Sequence, residues 1–291
     1  MPDAPDRERS SAVGVPESPG LRLRYALAAV LFFLGYRVLG LRRGVIRGNL
    51  QRSFPDMSAD ELRRIRNDFV RRQSEILAEL DYSRALTADE LRQRVRLVDP
   101  AGLLQGEDRL LVVAGHQCNF EWLLLRLSLE LGPDLVCVYK QMNSKRAEDY
   151  FRHIRTRFGA RLLPSTHIRQ ELRTIRNARA FGLVADQVPR TSPERHWTTF
   201  LHQHTAFFMG PERMARLLRA RTVFLSMRRD GRGVYEVVLE PLTAPAEKPA
   251  EGETTERYAR ALERDITADP AGWWWSHKRW KPLRDRKRDG A

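Results

Sequence analysis

The residues with the clearest chemical potential are a histidine and, five positions on, a glutamate, in Gly115-His-Gln-Cys-Asn-Phe-Glu121. An imidazole can take a proton from a hydroxyl near neutral pH. A carboxylate turned back toward it would fix its tautomer and stabilise the imidazolium. No serine or threonine lies beside the pair, and Cys118 is the only nearby nucleophile. The pair would therefore activate a hydroxyl of the substrate rather than one of the protein. Spacing alone means little, because 7 His and 37 acidic residues in 291 positions give about one such pair by chance. A histidine with a purely structural role is the competing reading, and placement must decide between them.

The elements around the pair supply that placement. Leu110-Leu-Val-Val-Ala114 has the continuous apolar run of a buried strand, and His116 follows it after one glycine. Glu121–Leu131 then reads as a mostly apolar helix. Strands at Leu135–Tyr139, Arg161–Leu163, Phe181–Ala185, Thr222–Met227 and Tyr235–Leu239 alternate with helices. The helices are marked by Ala147, Tyr150, Phe151 and Ile154, then by Ile168–Arg179, Pro211–Arg219 and Thr254–Ile266. Ahead of them, Ser58-Ala-Asp-Glu61 and Thr87-Ala-Asp-Glu90 are capping-box patterns opening two further helices. The alternation predicts an α/β fold, a mixed central sheet with helices on its faces. In such sheets ligands collect beyond the carboxyl ends of the strands, which is where His116 stands.

Composition narrows the classes. The chain carries 51 Lys+Arg, of which 45 are Arg, against 37 Asp+Glu, a formal charge of +14. An apolar fraction of 42 % with a mean hydropathy of −0.51 excludes both a multi-span membrane protein and a disordered chain. Two cysteines cannot build a disulfide scaffold or a cysteine-based zinc site. The basic excess suits a polyanion or an anionic surface, although an Arg-rich solvated exterior would look the same.

Residues 1–20 are polar and read as disordered. The uncharged run Tyr25–Tyr36 follows, and 21–44 is expected to be a membrane-anchor helix, either a short tilted span or a helix lying in the interface. Arg37, Arg42, Arg43 and Arg47 just after it would keep the rest of the chain on the cytoplasmic side. A cleaved signal peptide and a buried core helix are the alternatives. A catalytic domain over 45–285 and a basic tail over 286–291 complete the division.

Gly115-His-Gln-Cys-Asn-Phe-Glu-Trp122 resembles the His-x4-acid motif of lysophospholipid-type acyltransferases, and specifically of the late acyltransferases of lipid A biosynthesis in Gram-negative bacteria. The likeness runs through most of the chain. It includes Asn49-Leu-Gln-Arg-Ser-Phe-Pro-Asp-Met-Ser58, Val138–Asn143 with Arg155–Gly159, Leu183-Val-Ala-Asp-Gln187, and the close Trp273-Trp-Trp-Ser-His-Lys-Arg-Trp-Lys281. The resemblance implies a glycerol-phosphate-acyltransferase-like fold. It also implies acyl transfer from an acyl carrier protein thioester, the only co-substrate and in place of any cofactor, to a hydroxyl of an anionic lipid A precursor at the bacterial inner membrane.

Carried over by position, His116 is the general base and Glu121 its orienting partner. Arg155 is expected to bind phosphate or an oxyanion, and Asp186 to hold Arg155 or shape the pocket. Asn143 and Gln187 are further substrate-binding candidates. Two positions depart from the family pattern, Lys140 where arginine is usual and the continuation Gln187-Val-Pro-Arg190. Asp186 as a turn cap and Arg155 as a solvated arginine are the plainer alternatives, and Trp273–Trp275 read as packing or interface aromatics. His202-x-His204 lacks convergent carboxylates, so no metal is expected. Nor is nucleic acid, for want of a binding motif. An acyltransferase for another lysophospholipid or glycolipid, and a non-catalytic basic membrane-binding protein, are the rival functions.

Overall fold

The computed structural model describes residues 15–175, 177–189 and 194–280. A seven-stranded mixed sheet forms its centre, in the order β1-β9-β8-β2-β5-β3-β4. The strands are β1 (Val95–Val98), β2 (Leu110–Ala114), β3 (Leu135–Tyr139), β4 (Arg161–Pro164), β5 (Ala180–Val184), β8 (Arg221–Gly231) and β9 (Val234–Pro241). β8, β2, β5, β3 and β4 run parallel, while β9 and β1 run the other way as a parallel pair at one edge. Every residue of β2 is buried, as a central strand covered on both faces requires.

Side chains alternate between two cores. Leu110, Val112, Ala114, Cys137, Ala180 and Leu225 point to one face, against α5 (Phe120–Leu131), the end of α3 (Ala59–Tyr82) and α1 (Pro19–Phe32). Leu111, Val113, Val136, Phe181 and Phe224 point to the other. That face is covered by α2 (Arg43–Ser53), α8 (Gly210–Leu218), α9 (Glu253–Ala268) and the tryptophans Trp273 and Trp275. The remaining helices are α4 (Ala88–Arg94), α6 (Lys145–Arg155) and α7 (Ile168–Ile175). Ser58 and Glu61 close the expected capping box on α3, and Thr87 caps α4.

The N-terminal expectation needs correction. Among the described residues, no helix is long and apolar enough to cross a membrane. α1 has 14 residues, about 21 Å of helix against a hydrocarbon core of about 30 Å. A π-helical turn at Phe33–Val38 follows, and positive φ at Gly40 and Arg42 then turns the chain into α2. α1 instead buries Leu21, Tyr25 and Ala28, one helical face, against α3. The last residues expected to be disordered are also structured. Ser18 caps α1, and Glu17 pairs with Arg232 in the β8–β9 turn. Residues 1–14 and the basic tail lie outside the described residues.

A second sheet was not apparent in the sequence. β6 (Arg195–Phe200) and β7 (Gln203–Phe208) form an antiparallel hairpin whose two loop residues, Leu201 and His202, both have positive φ. That is the geometry of a type I′ turn, normally signalled by Asn-Gly. Here a Glu263 carboxylate accepting from the Leu201 amide, and packing of Phe200 and Leu201 in the core, hold an unfavourable pair in place.

Gly115 sits where β2 leaves the sheet. A Cβ there would stand 2.5 Å from Leu262 Cδ1, a side chain itself buried in α9. Gly115→Ala is expected to destabilise the protein by about 1–3 kcal/mol through overpacking, read as a lowered urea midpoint.

Candidate active site

Two adjacent parallel strands deliver the central pair. Ala114 of β2 and Val184 of β5 are in register, so the residues two positions beyond each, His116 and Asp186, emerge side by side. His116 Nδ1 lies 2.5 Å from Asp186 Oδ1, and the His116 backbone N–H donates to Oδ2 at 2.9 Å. The indole N–H of Trp273 donates to the same Oδ2 at 2.7 Å. Burial alone would raise the Asp186 pKa. The facing imidazole and these three hydrogen bonds outweigh it and hold the carboxyl at about 2. With Nδ1 donating to the carboxylate, Nε2 carries the free lone pair. That nitrogen accepts from the Gln187 side-chain amide at 3.3 Å.

This differs from the expected pairing. Glu121 does not orient His116. In the first turn of α5 it faces Arg155, the last residue of α6, which donates through Nε at 2.9 Å and Nη2 at 2.5 Å. Burial disfavours the Arg155 guanidinium's charge, but the hydrogen bonds and charge of Glu121 outweigh that and raise its pKa. Both side chains are largely buried, and Arg155 also packs on Phe151 at 5.0 Å from the ring centre. Arg155 is thus committed to Glu121 rather than free for a phosphate, and Asp186 holds His116 rather than Arg155.

Cys118 is not a nucleophile in this setting. Burial pushes its thiol pKa well up, and the S–H points at the Met227 carbonyl. Its backbone has φ +52°, strained for a non-glycine residue, and its N–H donates to the Gly272 carbonyl. The Trp274 N–H in turn donates to the His116 carbonyl. The chain at Gly272–Trp274 therefore runs alongside Gln117 and Cys118 and locks the turn between β2 and α5.

His116, Glu121, Arg155 and Gln187 line one cavity of about 510 Å³, within the usual range of about 300–1,000 Å³ for ligand sites. Asp186 lies behind His116, out of the cavity. Asn143 is exposed before α6 and does not line it. The cavity extends from His116 between the sheet and the helices. Val112, Cys137 and Gly182 line its sheet side, and Leu124 and Leu127 of α5 with Ile76 of α3 line its helix side. Phe120 and Trp274 flank the imidazole, with ring centres 4.9 and 5.0 Å away. Sequence reasoning missed Trp273 as the third donor to Asp186 and Trp274 as a wall of the site. The run of three tryptophans was the available signal, since an indole N–H seeks a buried partner.

A model of the bacterial lipid A biosynthesis acyltransferases matches residues 15–282. The chain belongs to that family. It is accordingly an acyltransferase, and the cavity with His116 at its end is its candidate active site. Nothing among the curated proteins matches the chain significantly. Among solved structures, the 1-acyl-sn-glycerophosphate acyltransferase of Thermotoga maritima is similar over 84 % of this chain and 97 % of that one. The identity is 14 % and the TM-score 0.40.

Two measurements follow from the pairing. Removing either Glu121 or Arg155 leaves a buried charge alone, so each alanine variant is expected to lose about 3–5 kcal/mol of stability. The double variant should lose much less than their sum, read by urea unfolding as a double-mutant cycle. The Asp186 carboxyl is held lower in the folded chain than its unfolded value of 3.8. Its stabilisation is therefore complete above that value and lost as pH falls through about 2. The urea midpoints of wild type and Asp186→Asn should differ most at neutral pH and converge on acidification through that window.

Proposed function

We propose that the protein transfers a fatty acyl chain from an acyl carrier protein thioester to a hydroxyl of a lipid A precursor, with His116 as the general base. The observation that carries this reading is the imidazole of His116, held by Asp186 through Nδ1 and lining an apolar cavity in a chain of the lipid A acyltransferase family. His116 Nε2 takes the acceptor's proton as the hydroxyl oxygen attacks the thioester carbonyl. Asp186 stabilises the imidazolium that forms. Collapse of the tetrahedral intermediate breaks the carbon–sulfur bond, and the departing thiolate takes the proton back from His116. No acyl-enzyme is needed, in keeping with the buried, protonated Cys118.

The apolar side of the cavity would hold the acyl chain. Gly182 lies on its sheet wall, where the absence of a side chain leaves depth. Lys140, exposed at the cavity rim, offers a cation to an acceptor phosphate. Attachment to the cytoplasmic face of a bacterial inner membrane would be peripheral. The exposed Leu23, Leu27, Val30, Leu31, Leu34 and Leu39 on and after α1 present an apolar strip that anionic lipid would cover. Phe32, at the end of α1, lines the cavity itself, so acceptor and chain pocket would meet at that surface.

The test is an assay of the purified protein with a series of acyl carrier protein thioesters and two acceptors, a lipid A precursor and a lysophospholipid. His116→Ala is expected to lower kcat by about 10²–10⁴-fold. Wild-type turnover in that variant would sink the mechanism, and transfer to the lysophospholipid alone would sink the acceptor. Gly182→Val should shift preference toward shorter chains, and an unchanged length profile would put the chain elsewhere.

A further inference from the structure

Glu79 lies in the last turn of α3 and is completely enclosed. Its two carboxylate oxygens serve three donors from three separate parts of the chain. Oε1 accepts from the Tyr25 hydroxyl of α1 at 2.9 Å. Oε2 accepts from the Tyr235 hydroxyl of β9 at 2.7 Å and from the Asn119 side-chain amide at 2.8 Å. Neither the acid–base pair nor the Glu121–Arg155 pair touches it. A buried carboxylate is costly and is kept only when its hydrogen bonds are filled.

Of the three donors, Asn119 stands in the reactive turn, three residues after His116 and two before Glu121. Its amide is used at both ends. Oδ1 accepts from the Trp122 backbone N–H at 3.0 Å and caps α5, while Nδ2 reaches Glu79. The same turn of α3 grips α5 again through the Trp122 indole, which donates to the Glu79 carbonyl and the Ser83 hydroxyl. Next to Asn119 is Cys118, with its left-handed backbone, a conformation that persists only where the surroundings over-determine it.

We propose that Glu79 is a positioning residue of the acyl-transfer site, fixing through Asn119 the turn that sets His116 against the cavity. The proposal rests on His116 being the base. It acts on orientation, so it is felt in kcat, where a misplacement of about 1 Å costs about 10²-fold.

The test measures kcat, KM and thermal midpoint of the full-length protein, with dodecanoyl–acyl carrier protein and a defined lipid A precursor as probes. Asn119→Asp keeps the cap oxygen but sets two carboxylates face to face. It is expected to lower kcat by about 10²-fold with KM unchanged. Glu79→Gln keeps one oxygen to accept from Asn119 and Tyr235 and can turn its N–H to the Tyr25 hydroxyl, but it loses the charge that holds Asn119, so it is expected to lower kcat by less than Asn119→Asp does. Combined with Asn119→Asp, the same Glu79→Gln change places an amide N–H opposite the new carboxylate and should restore kcat. Tyr25→Phe removes a different bond to the same carboxylate and should lower the midpoint without lowering kcat.

A double variant as slow as Asn119→Asp alone overturns the assignment. So does wild-type kcat in Asn119→Asp, or a kcat that falls with the midpoint in Tyr25→Phe. If Asn119→Asp does not fold, the double variant still decides, since it must then fold and turn over. The reading of His116 is judged separately, by the turnover of His116→Ala.

Discussion

A single buried carboxylate holds the site together. Asp186 receives the imidazole and backbone N–H of His116 and the indole N–H of Trp273, so one side chain joins the ends of two central strands to the C-terminal segment. Each bond is modest by itself, but bonds to a charged group in a low-dielectric setting are among the stronger ones. Fixing Nδ1 also fixes which nitrogen is basic. Tautomer and direction of proton transfer are therefore consequences of one contact, which strand register brings about.

The second ion pair has a different character. Glu121 and Arg155 neutralise each other at the wall of the cavity, joining the start of α5 to the end of α6. Their mutual attraction offsets the cost of burial without adding much stability. What the pair supplies is a charged yet internally balanced wall beside an apolar pocket. The turn from β2 into α5 hangs between these two pairs, and its strain at Cys118 is contained by contacts of Cys118 with Gly272 and Met227 and of the next residue, Asn119, with Glu79.

Much of this was legible in the chain. Apolar runs gave six strands of the central sheet but not β1, and capping-box patterns gave the helix starts at Ser58, where the box closes, and at Thr87, where the side chain alone caps. The position of His116 at a strand end followed from order and spacing, and the family resemblance singled out Glu121, Arg155 and Gln187, which line one cavity with it. Which carboxylate faces the imidazole did not. His116 and Asp186 are 70 positions apart, and they meet through strand register, whereas Glu121 is near in sequence but is drawn away by the first turn of α5 to Arg155. The hairpin over Arg195–Phe208 escaped notice because its turn residues, Leu201 and His202, carry none of the usual turn chemistry. The N-terminal run misled for a related reason. Its apolar content is real, but one face of the helix is already used against α3 and the helix ends after four turns.

Gln187 gives the resting site a further property. Its amide N–H already engages the imidazole lone pair, at a distance long for a hydrogen bond. Whatever is to be deprotonated must first displace that amide. A lipid hydroxyl arrives with the rest of a large molecule held in place, and that binding can drive the displacement; a water molecule has nothing behind it. On the proposed reading, hydrolysis of a thioester donor would thus be opposed by one exposed side chain. With His116 as the proposed base, selection of a bound acceptor over water would then rest on a residue that never carries the proton.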